Sequence, residues 1–270
     1  MADITTPLAH APARPGGFVS TDTQARVVCG LVIMLLWELI VRAFAPDYVA
    51  KPSTVVMAIP RVIVDPAFLD ATRVTLIACA QGLALSLIFG TVLGLAMGLS
   101  TLVDRSLRHY INGLNAVPMI IVLPLVSLWF HYSSGARLAT IVFAAIFAII
   151  INTADGARSV PREYLEVARS FRSGRLRMLI DIVLPSSMPY FLAGLRLAAG
   201  RALIGAVVAE FFLAIGGLGY FILYDSRIFK HDEAFVGVLL LAGFGVGFEV
   251  LVGWSTTRFL PWYRRDEKTD

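Results

Sequence analysis

Six apolar stretches, each long enough to cross a lipid bilayer as a helix, constrain this chain more than any other feature of its sequence. A bilayer core is about 30 Å thick, which corresponds to roughly 20 helical residues. Backbone groups inside lipid find no water to bond, so such stretches are expected to be helical. They lie near residues 27–45, 74–99, 114–131, 138–156, 188–213 and 234–257. The sequence therefore predicts an all-α, polytopic membrane protein with about six transmembrane helices.

The composition agrees with this class. Hydrophobic residues make up 57% of the 270 residues and charged residues only 16%, which is too little polar surface for an ordinary soluble domain. We expect a flexible N-terminal tail over residues 1–24, one transmembrane domain over 25–262 and a basic, polar tail over 263–270. The first apolar run is longer than the hydrophobic region of a signal peptide, so it is predicted to remain as a span.

The basic residues are unevenly shared between the two sides of the predicted membrane domain. If the N-terminus is cytoplasmic, fourteen Lys and Arg residues fall on the cytoplasmic side and seven on the outer side. Cytoplasmic loops of membrane proteins carry an excess of these residues. The distribution therefore predicts that both termini lie in the cytoplasm.

Several predicted spans contain glycine or proline residues at positions that affect helix packing or continuity. Gly90, Gly94 and Gly98 recur every four residues in span 2 and predict a flat stripe for close helix packing. Span 6 is expected to pack in the same way through Gly243, Gly245, Gly247 and Gly253. Pro118 and Pro124 should interrupt the hydrogen-bond ladder of span 3 twice. Such a broken helix either lines a pathway or is a packing kink, and the sequence leaves both interpretations open.

Span 5 carries charges that lipid does not tolerate unpaired. One helical stripe, at alternating steps of four and three, contains Arg196, Gly200, Leu203, Val207 and Glu210. Arg201 lies on the opposite side near the expected midplane, where an uncompensated charge costs at least a few kcal/mol. These charges either pair inside the bundle or meet water along a pathway.

A charged segment, residues 163–185, separates predicted spans 4 and 5 and faces the cytoplasm in this topology. A helix over 163–172 would gather Tyr164, Leu165, Ala168 and Phe171 in one arc. A second short helix from Arg175 would complete a hairpin that returns to the membrane at Leu184–Pro185, with Ser186 and Ser187 as caps for span 5. The alternative is an interfacial loop whose arginines lie on lipid headgroups.

Several kinds of chemistry have no support in the sequence. The three lysines, Lys51, Lys230 and Lys268, do not lie in a Gly-rich phosphate-binding loop. The four histidines are scattered, without the spacing that a metal site needs. A membrane-embedded enzyme is therefore weakly supported, and we expect no cofactor or metal in this chain.

The charged segment resembles the cytoplasmic loop of ABC-importer permeases that carries their Glu-Ala-Ala and Ile-x-Leu-Pro elements. The matching residues are Glu166–Val167–Ala168 and Ile182–Val183–Leu184–Pro185. Residues 118–130, 194–202, 207–210 and 217–220 also resemble the nitrate/taurine/alkanesulfonate-type permeases. That family usually has Ala and Gly where this chain has Val167 and Arg172, and Gly174 could supply the turn instead.

The resemblance implies a permease subunit of the bacterial inner membrane, with a coupling-helix hairpin between helices 4 and 5. It implies a second permease copy, two copies of an ATPase subunit that holds ATP and Mg, and a periplasmic or lipid-anchored substrate-binding protein. It implies no nucleic-acid partner. The residues expected to couple to the ATPase are Glu163, Leu165, Glu166, Ala168, Phe171, Arg172, Gly174, Leu184 and Pro185. The pathway candidates are Pro118, Pro124, Arg196, Gly200, Leu203, Val207 and Glu210.

Two functions therefore remain to be separated. The first is an ATP-driven importer permease for a small anionic solute of the nitrate, sulfonate or taurine class. The alternative is an ion-coupled secondary transporter or channel, which is motivated by Arg196, Arg201 and Glu210 inside span 5.

Overall fold

The computed structural model describes residues 21–46 and 48–259, and all regular elements in these ranges are helical. The helices are α1 (Thr21–Phe44), α2 (Pro52–Val62), α3 (Pro66–Leu99), α4 (Thr101–Ala116), α5 (Met119–Phe130), α6 (Ser134–Arg158), α7 (Arg162–Ser170), α8 (Arg175–Met178), α9 (Leu184–Leu213), α10 (Leu218–Arg227) and α11 (His231–Phe259). Within the described ranges, five helices are long and apolar enough to cross a membrane, or six if the bent pair α4–α5 is one span. The predicted class and span number are confirmed. Residues 1–20 and the predicted tail 263–270 lie outside the described residues.

Helix α6 forms the centre of the bundle, with α3 on one side and α9 on the other. The glycine stripe of α3 allows the first of these contacts. A Cβ atom at Gly94 would lie 2.7 Å from Thr153 Cβ, and one at Gly98 would lie 2.5 Å from Ala157 Cβ. Real side chains do not approach so closely, so the predicted packing role of the stripe is confirmed.

Two further glycines, which periodicity did not single out, bring α9 equally close to α6. A Cβ at Gly156 of α6 would lie 2.7 Å from Tyr190 Cβ, and one at Gly194 of α9 would lie 2.8 Å from Asn152 Cβ. Each helix thus contributes one gap that a side chain of the other helix fills. The α3, α6 and α9 backbones form one tightly packed unit.

The glycines of α11 do not serve the predicted role within this chain. A Cβ at Gly243, Gly245, Gly247 or Gly253 would meet no atom of the described residues within 4 Å. The glycine of α11 that does allow close packing is Gly237, which faces α10. Within the described residues, no other helix lies on this stripe, because spacing shows that a stripe is flat whereas the fold decides what packs against it.

Predicted span 3 is a broken helix rather than a single kinked one. Helices α4 and α5 meet at an angle of 101°, and Pro118 lies at the break as the N-cap of α5. The predicted interruption at Pro118 is confirmed as a break between two helices. At Pro124, which has no N–H to donate to the Ile120 carbonyl, one ladder bond is missing but α5 continues without a break. The apolar run near 114–131 is therefore the end of α4 together with α5, and this bent pair is either one broken span or a re-entrant loop.

The predicted separate second helix of the hairpin, ending before a new helix start at Leu184–Pro185, is not formed. Helix α8 continues through a π-helical turn, Leu179–Val183, into α9, giving one helical run over Arg175–Leu213. Pro185 has no N–H, and its ring crowds the carbonyl four residues earlier, so a widened turn before it keeps the helix unbroken. Ser187 does not cap a helix start, because its hydroxyl donates to the Leu184 carbonyl oxygen at 3.1 Å.

Candidate functional site

Helix α7 lies at one end of the bundle, held there by a small apolar contact. Ala168 is only 7% exposed. Leu165 packs in a cluster with Ala157, Val160 and Val183, which belong to the end of α6, the following loop and the π-helical turn. Leu165 and Ala168, both expected to take part in ATPase coupling, therefore attach α7 to its own membrane domain.

The adjoining strip of α7 presents apolar side chains to the outside. Phe171 is 81% exposed, and Tyr164 and Val167 are each more than half exposed. The predicted single arc of Tyr164, Leu165, Ala168 and Phe171 is thus divided between an inward and an outward face. We call Tyr164, Val167 and Phe171 the exposed α7 face. Glu163 and Glu166 are exposed beside it.

The turn after α7 occurs at Arg172, whose φ of 54° is in the left-handed region. Its N–H donates to the Arg169 carbonyl at 2.8 Å, and the next N–H, of Ser173, donates to the Ala168 carbonyl at 3.0 Å. These two bonds form the motif with which many helices end. The expectation that Gly174 supplies the turn is wrong, since its φ is −67°. The Gly usual in the family at position 172 would fit this left-handed site without strain.

A groove of about 650 Å³ separates α7 from the helical run that begins at Arg175. The exposed α7 face forms one wall, and Arg177 and Asp181 lie on the other. Arg177 Nε donates to Asp181 Oδ2 at 3.4 Å, one turn apart on an exposed surface. Of the other predicted coupling residues, Leu184 is half-buried and Pro185 is exposed at the start of α9.

The predicted pathway stripe of α9 changes from exposed to buried along its length. Arg196 is 55% exposed and pairs with Glu249 of α11. Gly200 is exposed, whereas Leu203 and Val207 are half-buried. The stripe ends at Glu210, which is completely buried in this conformation.

Glu210 joins three other helices at the end of the bundle opposite α7. Its carboxylate accepts hydrogen bonds from Thr75 Oγ1 of α3 at 2.8 Å, from the Gly219 N–H of α10 at 2.8 Å and from Arg137 of α6 at 3.3 Å. Arg137 also donates to the Gly216 carbonyl at 2.7 Å. A carboxylate at the N-terminus of α10 is further stabilised by the helix dipole. We call Thr75, Arg137 and Glu210 the buried Glu210 cluster.

Arg201, predicted to need a partner, donates to Asn115 Oδ1 at 2.5 Å. Asn115 belongs to α4, just before the Pro118 break, and a cavity of about 170 Å³ lies beside the pair. Asn115, Thr75 and Arg137 were not identified from the sequence. Each is far along the chain from the residue it contacts, so neither helical periodicity nor a local motif signals the pairing. Among the described residues, no group of three or more potential metal ligands occurs.

The family described as "Binding-protein-dependent transport system inner membrane component" matches residues 86–265. The nitrate import permease protein NrtB of Synechococcus elongatus is 32% identical over 250 residues, covering 88% of each chain. The formylaminopyrimidine transport permease protein ThiX of Halalkalibacterium halodurans is 30% identical over 237 residues, covering 87% of this chain and 94% of that protein. The aliphatic sulfonates transport permease protein SsuC of Bacillus subtilis, itself a putative assignment, is 27% identical over 233 residues.

The fold also has a counterpart among solved structures. An inward-facing structure of the MetNI methionine ABC transporter matches with a TM-score of 0.58, covering 73% of this chain and 97% of that one at 16% identity. At this identity the match shows the shared fold alone. The family match over two thirds of the chain and the relatives named above favour ATP-driven import over the ion-coupled alternative. The chain belongs to the binding-protein-dependent transport system inner membrane components, and it is the permease of an ABC importer.

Proposed function

We propose that two copies of this permease form the pathway of an importer for a small anion, driven by two separate ATPase subunits. ATP and Mg belong to those subunits, and a substrate-binding protein delivers the solute at the opposite end of the bundle. The exposed α7 face and the adjoining groove form the docking site for the ATPase.

The observation that carries the proposal is the amphipathic form of α7. Apolar side chains on a short helix that projects from a bundle are unfavourable in water unless a partner covers them. A helix that lays its apolar face into a groove of a partner is a recurring mode of recognition. Phe171, at 81% exposure, is the most exposed apolar side chain of this helix.

The topology follows from counting spans. We count α4–α5 as one span, which gives six crossings. With this even number, we place the beginning of α1 and the end of α11 on the same side of the membrane. The arginine-rich segment around α7 lies on that side as well. Because basic segments remain in the cytoplasm, we place α7 and both termini there, in the inner membrane of a bacterium.

The solute class is inferred from the relatives and from Arg201. Relatives named for nitrate, aliphatic sulfonates and bicarbonate import take small anions. Arg201 supplies a positive charge inside a span, where it is expected to mark a solute route. The carbon skeleton of the solute is not part of the proposal.

The docking proposal is tested by Phe171→Ala in the chain co-expressed with its ATPase subunit. We expect about tenfold weaker binding of the ATPase, because an exposed aromatic side chain is a typical interface anchor. Co-purification and ATP-driven uptake of the solute into vesicles are the two measurements. Phe44→Ala is the matched control, since Phe44 is 87% exposed at the end of α1, on the other side of the proposed membrane.

Unchanged ATPase recovery and uptake for Phe171→Ala would contradict the docking site. Equal losses for both variants would show a general effect of removing an exposed ring, which would also count against it.

A further inference from the structure

Arg201 differs from Arg196 and Arg137, two other arginines that pair with a residue of another element, in the nature of its partner. Arg196 pairs with the carboxylate of Glu249, and Arg137 pairs with the carboxylate of Glu210. Arg201 instead bonds the neutral carboxamide of Asn115. Within the described residues, its positive charge therefore has no carboxylate to compensate it.

Its position makes this charge expensive. Arg201 lies roughly 18 Å along the helix axis from Leu213, well inside the α9 span. An uncompensated arginine at such a depth costs several kcal/mol unless it meets water, a lipid phosphate or an anion. The fold retains it beside a cavity, so a compensating group has room there.

The cavity beside Arg201 is small and mostly apolar. It measures about 170 Å³, and the described residues that line it are Leu114, Asn115, Val117, Met119, Phe143, Ala144, Phe147, Arg201 and Ile204. Of these, Arg201 is the only charged residue, and Asn115 is the only other one that offers polar side-chain donors. Arg201 is exposed on the surface of this chain, so an anion can reach it. The apolar side chains around it lower the local dielectric, which strengthens the attraction between a guanidinium and an anion.

We propose that this cavity is an anion subsite of the permease, in which Arg201 binds the anionic group and Asn115 positions the guanidinium and adds a carboxamide N–H donor. The planar guanidinium fork matches the oxygens of a nitrate, sulfonate or carboxylate group. Phe143, Phe147 and Ile204 hold the small apolar remainder of an organic anion. The α4–α5 break places Asn115 next to α9, which gives the broken span a function. This subsite rests on the proposed import of a small anion.

The test measures charge preference without transport. Ile204→Cys is made in the full-length chain with Cys29→Ala and Cys79→Ala, and the chain is placed in lipid vesicles. Labelling rates are compared for a sulfonate-bearing and a trimethylammonium-bearing methanethiosulfonate reagent, each normalised to a free thiol. We expect the anionic reagent to react about tenfold faster, because a charged cavity concentrates ions of opposite sign. Added methanesulfonate or nitrate should slow labelling by the anionic reagent.

Arg201→Gln should abolish this preference, and Arg201→Lys should retain part of it. Arg105→Gln is the matched control, since it removes an exposed arginine of α4, the helix that carries Asn115, without touching the lining of the cavity. If Ile204→Cys does not yield folded protein, Ala144→Cys provides a second thiol on the cavity wall with a smaller change of volume.

Equal rates for both reagents, or equal effects of Arg201→Gln and Arg105→Gln, would overturn the subsite. A thiol closed to both reagents would do the same, because it would mean that lipid or another protein surface covers Arg201. A preserved preference in a chain that shows no ATP-driven uptake would support the subsite while contradicting the proposed import.

Discussion

At the scale of single residues, the structure explains a departure from the family pattern that the sequence could only state. Arg172 takes the left-handed conformation at the end of α7, where a residue with a Cβ is strained by about 1 to 2 kcal/mol. The two backbone bonds of this turn nevertheless form at ordinary lengths. The chain therefore retains the turn and carries the strain locally.

Arg172→Gly is predicted to stabilise the turn by about 1 kcal/mol, because glycine adopts this conformation without a steric penalty. Slower hydrogen exchange at the Arg169–Ser173 amides would measure the gain. Gly174→Ala is the matched comparison and should be neutral, since its φ is negative and a Cβ there meets no atom of the described chain within 4 Å. If Gly174→Ala proves the more damaging change, the turn has been assigned to the wrong residue.

Asp225 of α10 is a second residue whose surroundings destabilise the folded state. It is 4% exposed, and its Oδ2 atom has no hydrogen-bond partner among the described residues. Burial, with a smaller contribution from nearby Glu233, raises the pKa of Asp225 from 3.8 to about 6. A carboxyl group whose pKa is raised by folding destabilises the folded state above its unfolded pKa.

The contribution of Asp225 to the free energy of unfolding should therefore fall as the pH rises from about 4 to about 6 and level off above that. Asp225→Asn removes this penalty and is predicted to raise the thermal midpoint by a few degrees at pH 7.5 but not at pH 4. Thermal unfolding in detergent at both pH values would measure this shift of the midpoint. Asp70→Asn, at an exposed position of α3, should change neither midpoint. A gain from Asp225→Asn that is the same at both pH values would contradict the interpretation.

At the scale of helices, close backbone contact determines which elements move together. Glycines on α3, α6 and α9 leave no room for side chains at the two central interfaces. The helical run Arg175–Leu213 belongs to this unit and extends from the groove beside α7 to the Glu210 cluster. A displacement at α7 would therefore reach the cavity beside Arg201 through one continuous helix.

Gly94→Val is predicted to destabilise the α3–α6 contact by about 1 to 3 kcal/mol, as overpacking of a tight interface does. A Cβ atom at this position would lie 2.7 Å from Thr153 Cβ and 2.8 Å from the Ile150 carbonyl oxygen, so the larger side chain cannot enter without a shift of α6. Gly243→Val on α11 is the control, because a Cβ there meets nothing within 4 Å in the described chain. The purified chain in detergent should lose thermal stability for the first variant only, and equal losses would refute the packing assignment.

At the scale of the whole molecule, charged networks connect the helices at both ends of the bundle. At the α7 end, Asp104 of α4 pairs with Arg108 and with Arg158 of α6, and Arg108 also bonds Asp155 at 3.0 Å. At the other end, the buried Glu210 cluster connects α3, α6, α9 and α10. The cavity beside Arg201 lies between these networks, along the break of the α4–α5 span. Charged side chains therefore hold the helices together at both ends of the bundle. Any separation of these helices would require the ion pairs and hydrogen bonds of the two networks to rearrange.

The sequence by itself determined the helical class, the number of spans, the glycine stripe of α3 and the short amphipathic helix between the fourth and fifth spans. These features follow from the length and period of apolar residues, which are local properties of the chain. Only the tertiary structure decided which faces and charges have partners. Arg137 and Glu210 are 73 residues apart and Arg201 and Asn115 are 86, so no local pattern records these contacts. The same reason accounts for the divided face of α7 and the open glycines of α11, since burial depends on which other helix lies alongside.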